Sequence, residues 1–262
     1  MFAFHKDKSR YFNIQYQISK RFIIPFISLH REINPKDKVL EIGCAEAGVL
    51  KAFLEMGNPC VGIELQPARL ALAKKFLADY CHNGQVELID SKIEDLMINE
   101  IDSFDIVILK DVIEHIHDQE KFLSNLKKML KPDGLVFFAF PPWQMPFGGH
   151  QQVLNHKIGS KIPWTHLLPN RLYRIFLNSL GESEKKIENV MEIKETGLSI
   201  DRFERICKKI NYEIVLKQGF ISNPIYKYKF GWPTIKQSSI IFSLPILRNF
   251  ISSCAYYLIK LK

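Results

Sequence analysis

Short apolar runs alternate with amphipathic stretches from Lys38 onward. Five of the runs are four to six residues long, rich in β-branched and aromatic residues and bounded by turn residues, which is typical of buried parallel strands. They are Val39–Ile42, Cys60–Glu64, Val86–Ile89, Phe104–Leu109 and Leu135–Phe140. Apolar residues spaced by three and four predict helices over Ala47–Met56, Pro67–Cys81 and Gln119–Leu130. The alternation predicts an α/β fold, a doubly wound, mostly parallel sheet with helices on both faces.

The pattern changes after the fifth run. Residues 144–197 are longer than a sheet connection requires, so we expect a small helical lid there. Leu198–Ile210 is predicted as the last sheet-covering helix, Tyr212–Ile221 as the sixth strand and Ser238–Phe242 as a final strand. Apolar residues at helical spacing then predict an amphipathic helix over 244–262; they are Leu247, Phe250, Ile251, Cys254, Leu258 and Leu261.

Composition and charge narrow the class of protein. With 47% hydrophobic and 24% charged residues among 262, the chain has ample apolar material for a core, which excludes intrinsic disorder. The five cysteines are odd in number and contain no C-x-x-C pair, so we expect reduced thiols and a cytoplasmic location. The net charge of +8 divides into +5 over residues 1–38, −7 over 39–143 and +10 over 144–262. The basic ends either attract phosphates or an anionic membrane, or are ordinary solvated surface.

The first candidate chemistry lies at the end of the first predicted strand, which reads E-x-G-x-x-x-G with Glu41, Gly43 and Gly48 at the fixed positions. Gly43 permits a sharp turn into a helix, and a ligand packed on bare backbone tolerates no Cβ. Glu64 ends the second strand about twenty residues later, where a doubly wound fold places the carboxylate that binds the ribose hydroxyls. Together they predict a nucleoside ligand; the alternatives are a glycine turn kept for packing and a surface Glu.

These and later motifs resemble the class I S-adenosylmethionine-dependent methyltransferases, in the type 11 group that includes quinone-biosynthesis O-methyltransferases. The resemblance covers residues 36–143, and its further segments are Asp90-Ser91 with Ile93-Glu94, Phe104–Val107 continuing into Lys110–Ile116, and Leu130–Leu135. The loop lacks the middle glycine of G-x-G-x-x-G, so a dinucleotide pyrophosphate is poorly served and a dehydrogenase is disfavoured.

The resemblance implies S-adenosyl-L-methionine as the cofactor. The residues that it assigns to cofactor binding are Glu41, Gly43, Cys44, Ala45, Gly48, Glu64, Leu65, Asp90, Ser91, Ile93, Lys110, Asp111 and His115. The resemblance and the pattern of apolar residues together divide the chain into a helical cap over residues 1–37, a cofactor-binding core over 38–143, a lid over 144–197, the remainder of the sheet over 198–243 and the helix over 244–262. The basic, apolar segment Tyr11–Leu29 would cap the cofactor site.

Two histidines are the catalytic candidates, His150 and His115. His150 follows Gly148-Gly149 near the expected carboxyl edge of the sheet, where an imidazole could take a proton from an attacking hydroxyl while the glycines let the loop close. The alternative is a turn histidine; His156 and His166 are weaker candidates. In some relatives a set like Asp111-x-x-Glu114-His115 binds a divalent metal, and in many others the histidine packs near the methionine moiety, so we expect no metal here.

We therefore expect an enzyme that transfers a methyl group to an oxygen of a small-molecule acceptor, such as a sugar, a lipid-linked intermediate or a quinone. The alternatives are a nucleic-acid methyltransferase, an amine N-methyltransferase and a non-catalytic binding protein that keeps the fold. Methyltransferases that modify adenine carry an (Asn/Asp/Ser)-Pro-Pro-aromatic motif after the fourth strand. Phe140-Pro141-Pro142-Trp143 lies instead at the end of the fifth strand, and Phe140 has no side-chain oxygen to hold an amino group, so nucleic acid is disfavoured as the substrate. Residues 223–233 interleave aromatics with lysines, which suits base or sugar stacking, or a strand pair. The partners expected are the acceptor, a second copy in a homodimer, and the inner membrane surface through the C-terminal helix.

Overall fold

The five apolar runs between Val39 and Phe140 all form strands. The computed structural model describes residues 7–91 and 103–262. The strands form an eight-stranded sheet in the order β3-β2-β1-β4-β5-β8-β6-β7. Their bounds are β1 Val39–Ile42, β2 Cys60–Ile63, β3 Val86–Ile89, β4 Phe104–Lys110, β5 Leu130–Phe140, β6 Tyr212–Ser222, β7 Ile235–Lys236 and β8 Cys254–Leu261. Strands β1 to β5 pair in parallel, and β8 is antiparallel to both β5 and β6. The predicted doubly wound, mostly parallel sheet is confirmed.

Helices cover both faces of this sheet. Their bounds are α1 Lys8–Ile18, α2 Ile24–Ser28, α3 Gly48–Leu54, α4 Pro67–Phe76, α5 Ala78–His82, α6 Gln119–Leu126, α7 Asn170–Ser179, α8 Glu184–Thr196, α9 Ile200–Lys209, α10 Pro224–Phe230, α11 Ser239–Ser243 and α12 Leu247–Ile251. A π-helical turn, Ser19–Ile23, joins α1 to α2. Asp7 caps α1 and Asp118 caps α6, each accepting a hydrogen bond from a backbone N–H of the first turn.

Alternation along the central strands divides the core into two layers. Ile106 and Ile108 of β4 face α1, α2 and α3, whereas Val107 and Leu109 face α6 and α9. The lid has a small core of its own in which α7 and α8 pack together; its buried members are Leu154, Tyr173, Leu177, Ile187, Val190 and Met191. Helices are therefore present within the predicted lid, and α9 and β6 lie where Leu198–Ile210 and Tyr212–Ile221 were predicted.

The prediction of an amphipathic helix over residues 244–262 is wrong. Only α12 is helical there, and β8 enters the sheet between β5 and β6. The helical spacing is misleading because an interior strand buries both of its faces, so Tyr256 and Tyr257 are equally inaccessible although they point to opposite layers. A membrane contact through a C-terminal helix loses its structural basis.

Two smaller predictions are also wrong. The predicted strand Ser238–Phe242 is the short helix α11, begun by Ser238, whose hydroxyl accepts from the N–H of Ile241. The aromatic and basic segment after β6 is the helix α10 rather than a strand pair, with Pro224 at its first position and Asn223 as its cap. Among residues 7–91 and 103–262, no helix has the length and apolar composition needed to cross a bilayer.

Candidate active site

The carboxyl ends of the parallel strands bring the predicted site residues to one edge of the sheet. Gly43 follows β1, Glu64 follows β2, Asp90 follows β3, Asp111 follows β4, and the lid follows β5. Strand β1 lies between β2 and β4. The chain runs from β1 outward through β2 to β3 and then returns to β4 on the other side of β1, so the strand order reverses between β1 and β4. A doubly wound sheet binds its ligands at such a switch point.

The two glycines of the loop after β1 are explained by contacts within the chain. Gly43 has φ +71°, and a Cβ there would lie 2.7 Å from Cγ2 of Val112. A Cβ on Gly48 would lie 2.3 Å from the carbonyl oxygen of Phe12 in α1. The packing alternative thus accounts for both glycines, and neither is by itself evidence for a bound ligand.

Charged side chains hold the loop between these glycines. Glu64 accepts hydrogen bonds from the N–H of Ala45 at 2.9 Å and from the N–H of Gln66 at 2.9 Å. Glu46, almost fully buried, accepts from Nε and Nη2 of Arg69 at 3.2 and 2.8 Å, and Nζ of Lys8 lies 3.0 Å from it. Burial alone would raise the pKa of Glu46, but the hydrogen bonds from Arg69 and Lys8 hold it below its ordinary value.

Sequence reasoning missed Glu46 and Arg69, since a bidentate pair formed between a loop and α4 leaves no local spacing signal. The backbone of the loop is correspondingly constrained: Ala45 and Ala47 have φ +55° and +60°, a left-handed conformation that costs a residue with a Cβ about 1 kcal/mol or more. The ionic contacts and Glu64 together impose this conformation.

Glu41 is buried beneath the same loop. Burial raises its pKa well above the usual range; the nearby Lys110 opposes this shift and Glu64 adds to it. One carboxylate oxygen of Glu41 has no hydrogen-bond partner among the described residues. Cys44 is a buried thiol whose pKa burial raises well above its usual value, so it is not a nucleophile.

A cluster of charges occupies the end of β4. Lys110 forms an ion pair with Asp111, whose backbone has φ +56°. Tyr11 of α1 lies near both, with the Arg69 guanidinium 6.0 Å and the Lys229 ammonium 5.9 Å from its ring centroid. Burial and the charge of Lys110 lower the pKa of Lys229 to about 8. The predicted N-terminal cap thus reaches the site through Tyr11, and α10 adds Lys229, which sequence reasoning missed.

The two predicted catalytic histidines lie together. The rings of His115 and His150 meet edge to face, 5.2 Å apart between centroids. Burial, reinforced by His115, lowers the pKa of His150 to about 4, so its imidazole is neutral at pH 7 and is a weaker base than a free histidine. One ligand atom from each of Glu114, His115 and His150 lies within 4.8 Å of the others, a set able to hold a divalent metal ion.

The structure corrects the expected role of the glycines before His150. A Cβ on Gly149 would lie 2.3 Å from Cβ of His166, and one on Gly148 would lie 2.1 Å from the carbonyl oxygen of Trp143. These glycines are fixed by close packing and do not form a hinge. His166 is structural, because it is fully buried and bonds the carbonyl oxygen of Trp143 and the Gln151 amide.

The remaining residues predicted to bind the cofactor differ in their exposure. Leu65 and Asp90 are exposed at the carboxyl edge, and Ser91 is partly buried beside Asp90. Ile93 and Glu94 lie outside the described residues. His156 lies on the lid surface, and its Nδ1 accepts a hydrogen bond from the N–H of Gly159.

Comparisons with known proteins point to one family. Residues 40–138 match the family model described as a methyltransferase domain. The ubiquinone biosynthesis O-methyltransferase of Bartonella tribocorum is 32% identical over 102 residues, which are 39% of this chain and 40% of that protein. The protein of the same name from Neisseria meningitidis is 31% identical over 139 residues, 51% of this chain and 55% of that protein. The chain therefore spans about half the length of the curated relatives it matches.

Solved structures agree on the fold. One from Thermotoga maritima, described as a S-adenosylmethionine-dependent methyltransferase and possible histamine N-methyltransferase, is 14% identical with a TM-score of 0.55. The superposition covers 99% of this chain and 97% of that one. At this identity the likeness concerns the fold, including the segments before residue 40 and after residue 138.

Proposed function

We propose that this chain, whose residues 40–138 belong to the methyltransferase domain family, transfers a methyl group from S-adenosyl-L-methionine to an oxygen of a small-molecule acceptor. The observation that carries the proposal is the placement of Glu64 and the β1 loop at the switch point of the sheet, within the matched segment. The curated relatives named above are O-methyltransferases, which favours oxygen as the methylated atom.

The residues present fit the cofactor. A carboxylate has about four acceptor positions, and the N–H groups of Ala45 and Gln66 take two of those on Glu64. The other positions would accept from the ribose hydroxyls, at a carboxylate that is 7% exposed. Leu65 and Asp90 are exposed at the same edge, where they can contact the nucleoside. Bound S-adenosylmethionine supplies an electrophilic methyl group on a sulfonium.

The side chains of this chain would then align and deprotonate the acceptor. His150 would take the hydroxyl proton as the acceptor oxygen is methylated, and the electron pair of the broken carbon–sulfur bond would remain with the donor. His115 lies edge to face against the His150 ring, where it would help to orient it. The lid follows β5 at the same edge of the sheet, where it would cover the acceptor. The sulfonium is a strong electrophile, so alignment of the acceptor would supply much of the rate.

Calorimetric titration with S-adenosylhomocysteine tests the cofactor assignment. We expect micromolar binding by the wild-type protein and at least about tenfold weaker binding by Glu64→Gln, because Gln has one acceptor oxygen where Glu has two. Glu87→Gln, an exposed position on β3, is the matched control. A folded wild-type protein that does not bind S-adenosylhomocysteine would contradict the proposal and favour the non-catalytic reading.

His150→Gln tests the catalytic role. With sugar, quinone and amine acceptors screened for S-adenosylhomocysteine formation, we expect His150→Gln to lose about 10²-fold in kcat while its affinity for S-adenosylhomocysteine stays unchanged. His30→Gln, on the surface outside the site, should behave as wild type. Unchanged turnover in His150→Gln would assign the proton transfer to another group.

A second candidate mechanism keeps the reaction and uses a metal. Glu114 is buried with no hydrogen-bond partner for either carboxylate oxygen among the described residues, as expected of a ligand whose partner is a cation. Glu114, His115 and His150 would hold the ion, which would acidify the acceptor hydroxyl. Loss of turnover on chelation, with recovery on adding Mg²⁺ or Zn²⁺, would favour this mechanism; turnover insensitive to chelation would remove it.

The expected homodimer and the cytoplasmic location stay predictions. Sedimentation equilibrium of the purified protein, with and without S-adenosylhomocysteine, tests the dimer. A mass that stays at that of one chain over the accessible concentrations would contradict it.

A further inference from the structure

Exposed apolar side chains are concentrated on two segments. Among the described residues, all large exposed apolar side chains except Leu29, Leu65 and Ile221 lie either within 153–175 or within 230–250. In the first segment they are Val153, Ile158, Ile162, Trp164, Leu167, Leu168, Leu172 and Ile175. In the second they are Phe230, Trp232, Ile235, Ile240, Leu244, Ile246, Leu247 and Phe250. Each segment thus exposes eight large apolar side chains, more than singly scattered surface residues account for, which is typical of an interaction site.

Both segments lie at the edge of the sheet that carries the candidate active site. The first follows β5, and the second connects the end of β6 to the start of β8. Because β8 is antiparallel to both neighbours, Phe140 of β5 pairs with Ala255 and Phe220 of β6 pairs with Cys254. The ends of β5 and β6 and the start of β8 therefore share one edge, and we call the two exposed segments there the rim.

The charge of the rim has one sign. Residues 153–175 contain four Lys or Arg and residues 230–250 contain two, with no Asp or Glu in either range; of the latter two, Arg248 is buried and paired with Asp201 and Glu204, which leaves Lys236 exposed. Lys157, Lys161, Arg171, Lys227 and Lys236 are exposed among the apolar side chains. Acidic residues occur elsewhere in the chain, so this separation is specific to the rim.

Two of the apolar tips are held out at an energetic cost. Trp164 and Ile246 have φ +59° and +65°, and Ile246, a β-branched residue in that conformation, is 70% exposed. The N–H of Ile246 donates to Asp201, and its carbonyl oxygen accepts from the Asn249 amide. The N–H of Trp164 donates to the carbonyl oxygen of Pro146 at 2.7 Å. Hydrogen bonds thus stabilise strained backbone at Ile246, whose side chain is largely exposed, and at Trp164, which is 44% exposed and whose indole N–H donates to the carbonyl oxygen of Gln144 at 3.2 Å.

We infer that the rim docks the protein on an anionic lipid bilayer. Aliphatic and Trp side chains can enter the boundary between headgroups and acyl chains, and each nearby Lys or Arg contributes about 1 kcal/mol at an anionic surface. A second copy of the chain would bring two cationic surfaces together, which opposes self-association. Nucleic acid suits it less, because most of the exposed apolar side chains are aliphatic and cannot stack on bases.

Docking through the rim would turn the candidate active site toward the bilayer. In combination with the proposed function, and resting on it, this implies an acceptor carried by a lipid or dissolved in the membrane. The docking itself does not depend on methyl transfer, so an experiment can contradict the docking while the proposed function stands, or the reverse.

Vesicle co-sedimentation of the full chain tests the docking. We expect binding to vesicles of phosphatidylcholine mixed with phosphatidylglycerol, weak binding to phosphatidylcholine alone, and loss of binding at high salt. Leu172→Glu/Ile175→Glu on α7 and Ile240→Glu on α11 should each reduce binding at least about tenfold, since charge replaces the inserted apolar contact. Leu29→Glu is the matched control, an exposed leucine on the segment leading to the amino end of β1.

S-adenosylhomocysteine titration of the same proteins separates docking from the cofactor site. Rim variants that keep their affinity for S-adenosylhomocysteine but leave the vesicles support the inference. Three results would overturn it: no binding of wild type to anionic vesicles, unchanged binding of the rim variants, or equal loss in Leu29→Glu. A dimer that the rim variants dissociate, without vesicle binding, would instead assign the surface to a second copy.

Discussion

Gly48 is the first residue of α3, and its backbone packs closely against α1. By helix propensity alone, alanine at this position would stabilise the helix by about 0.5–1 kcal/mol. The contact with α1 makes the substitution destabilising, because the new Cβ would lie 2.3 Å from the carbonyl oxygen of Phe12 and 2.8 Å from Cβ of Gln15. Neither backbone nor buried side chain can yield without moving α1.

We therefore predict that Gly48→Ala lowers the free energy of unfolding by about 1–3 kcal/mol, as overpacking does elsewhere. Thermal unfolding followed by circular dichroism measures it. Gly84→Ala is the matched control: a Cβ there meets nothing within 4 Å, so only the cost of its φ of +74° applies. A Gly48→Ala variant as stable as wild type would mean that α1 does not hold this position in solution.

Arg69 shows what a single side chain contributes to the loop after β1. Arg69→Lys keeps the charge beside Glu46 but loses the bidentate geometry, whereas Arg69→Met also leaves Glu46 with Lys8 alone. We predict that S-adenosylhomocysteine affinity falls in the order wild type, Arg69→Lys, Arg69→Met, by about tenfold for the last, since a looser loop loses preorganisation. Equal affinities in calorimetry would show that the loop does not need this pair.

At the scale of elements, the position of β8 decides the architecture of the C-terminal half. Tyr257 contacts the rings of Phe140 and Phe203 and donates a hydrogen bond to Glu204 at 2.7 Å. In the helix that the spacing predicted, this tyrosine would lie at the border of the apolar stripe, about 20° from Phe250, while Leu261 would lie within the stripe. In the sheet the order is reversed, because Leu261 lies at the end of β8 and is partly exposed.

We accordingly expect Tyr257→Ala to cost about 3–5 kcal/mol of unfolding free energy, and Leu261→Ala distinctly less. Urea unfolding of both variants gives the comparison. A larger loss for Leu261→Ala would contradict the observed strand and restore the helix.

At the scale of the whole molecule, Arg248 ties the rim segment to the sheet and to α9. Its guanidinium is almost fully buried and lies 2.8 Å from Asp201 and 2.7 Å from Glu204, and Glu204 also accepts from Tyr257 and Lys217. Burial by itself would raise the pKa of both carboxyls, but hydrogen bonds from Asn249 and Arg248 lower that of Asp201, and those from Arg248, Lys217 and Tyr257 lower that of Glu204.

This network makes the free energy of unfolding depend on pH. A carboxyl whose pKa is lower in the folded state contributes stability above its unfolded pKa of about 4, and loses it as the pH falls through the folded value. We predict that Arg248→Met costs about 3 kcal/mol at pH 7, and that the gap from wild type narrows as the pH falls below about 4. Urea unfolding over that range measures it.

Lys209→Met is the control for this experiment. Lys209 pairs with Glu120 at 2.7 Å on the surface, where both side chains are exposed, so its loss should cost less than about 1 kcal/mol. A gap between Arg248→Met and wild type that stays constant with pH would show that the two carboxyls do not titrate differently in the variant.

The amino-acid sequence by itself predicted strands β1 to β6. For β1 to β5 the physical reason is that buried parallel strands are continuous apolar runs and that the helices between them carry a 3.6-residue period. The sequence also placed Gly43, Glu64 and Asp111 at one edge, since parallel strands end on the same side. Tertiary structure decided β8, whose apolar spacing suits a helix equally well until two neighbouring strands are available to pair with it. It alone brought Arg69 to Glu46, Tyr11 and Lys229 to Asp111, and His150 to Glu114, because such contacts join residues far apart in the chain and leave no periodic signal.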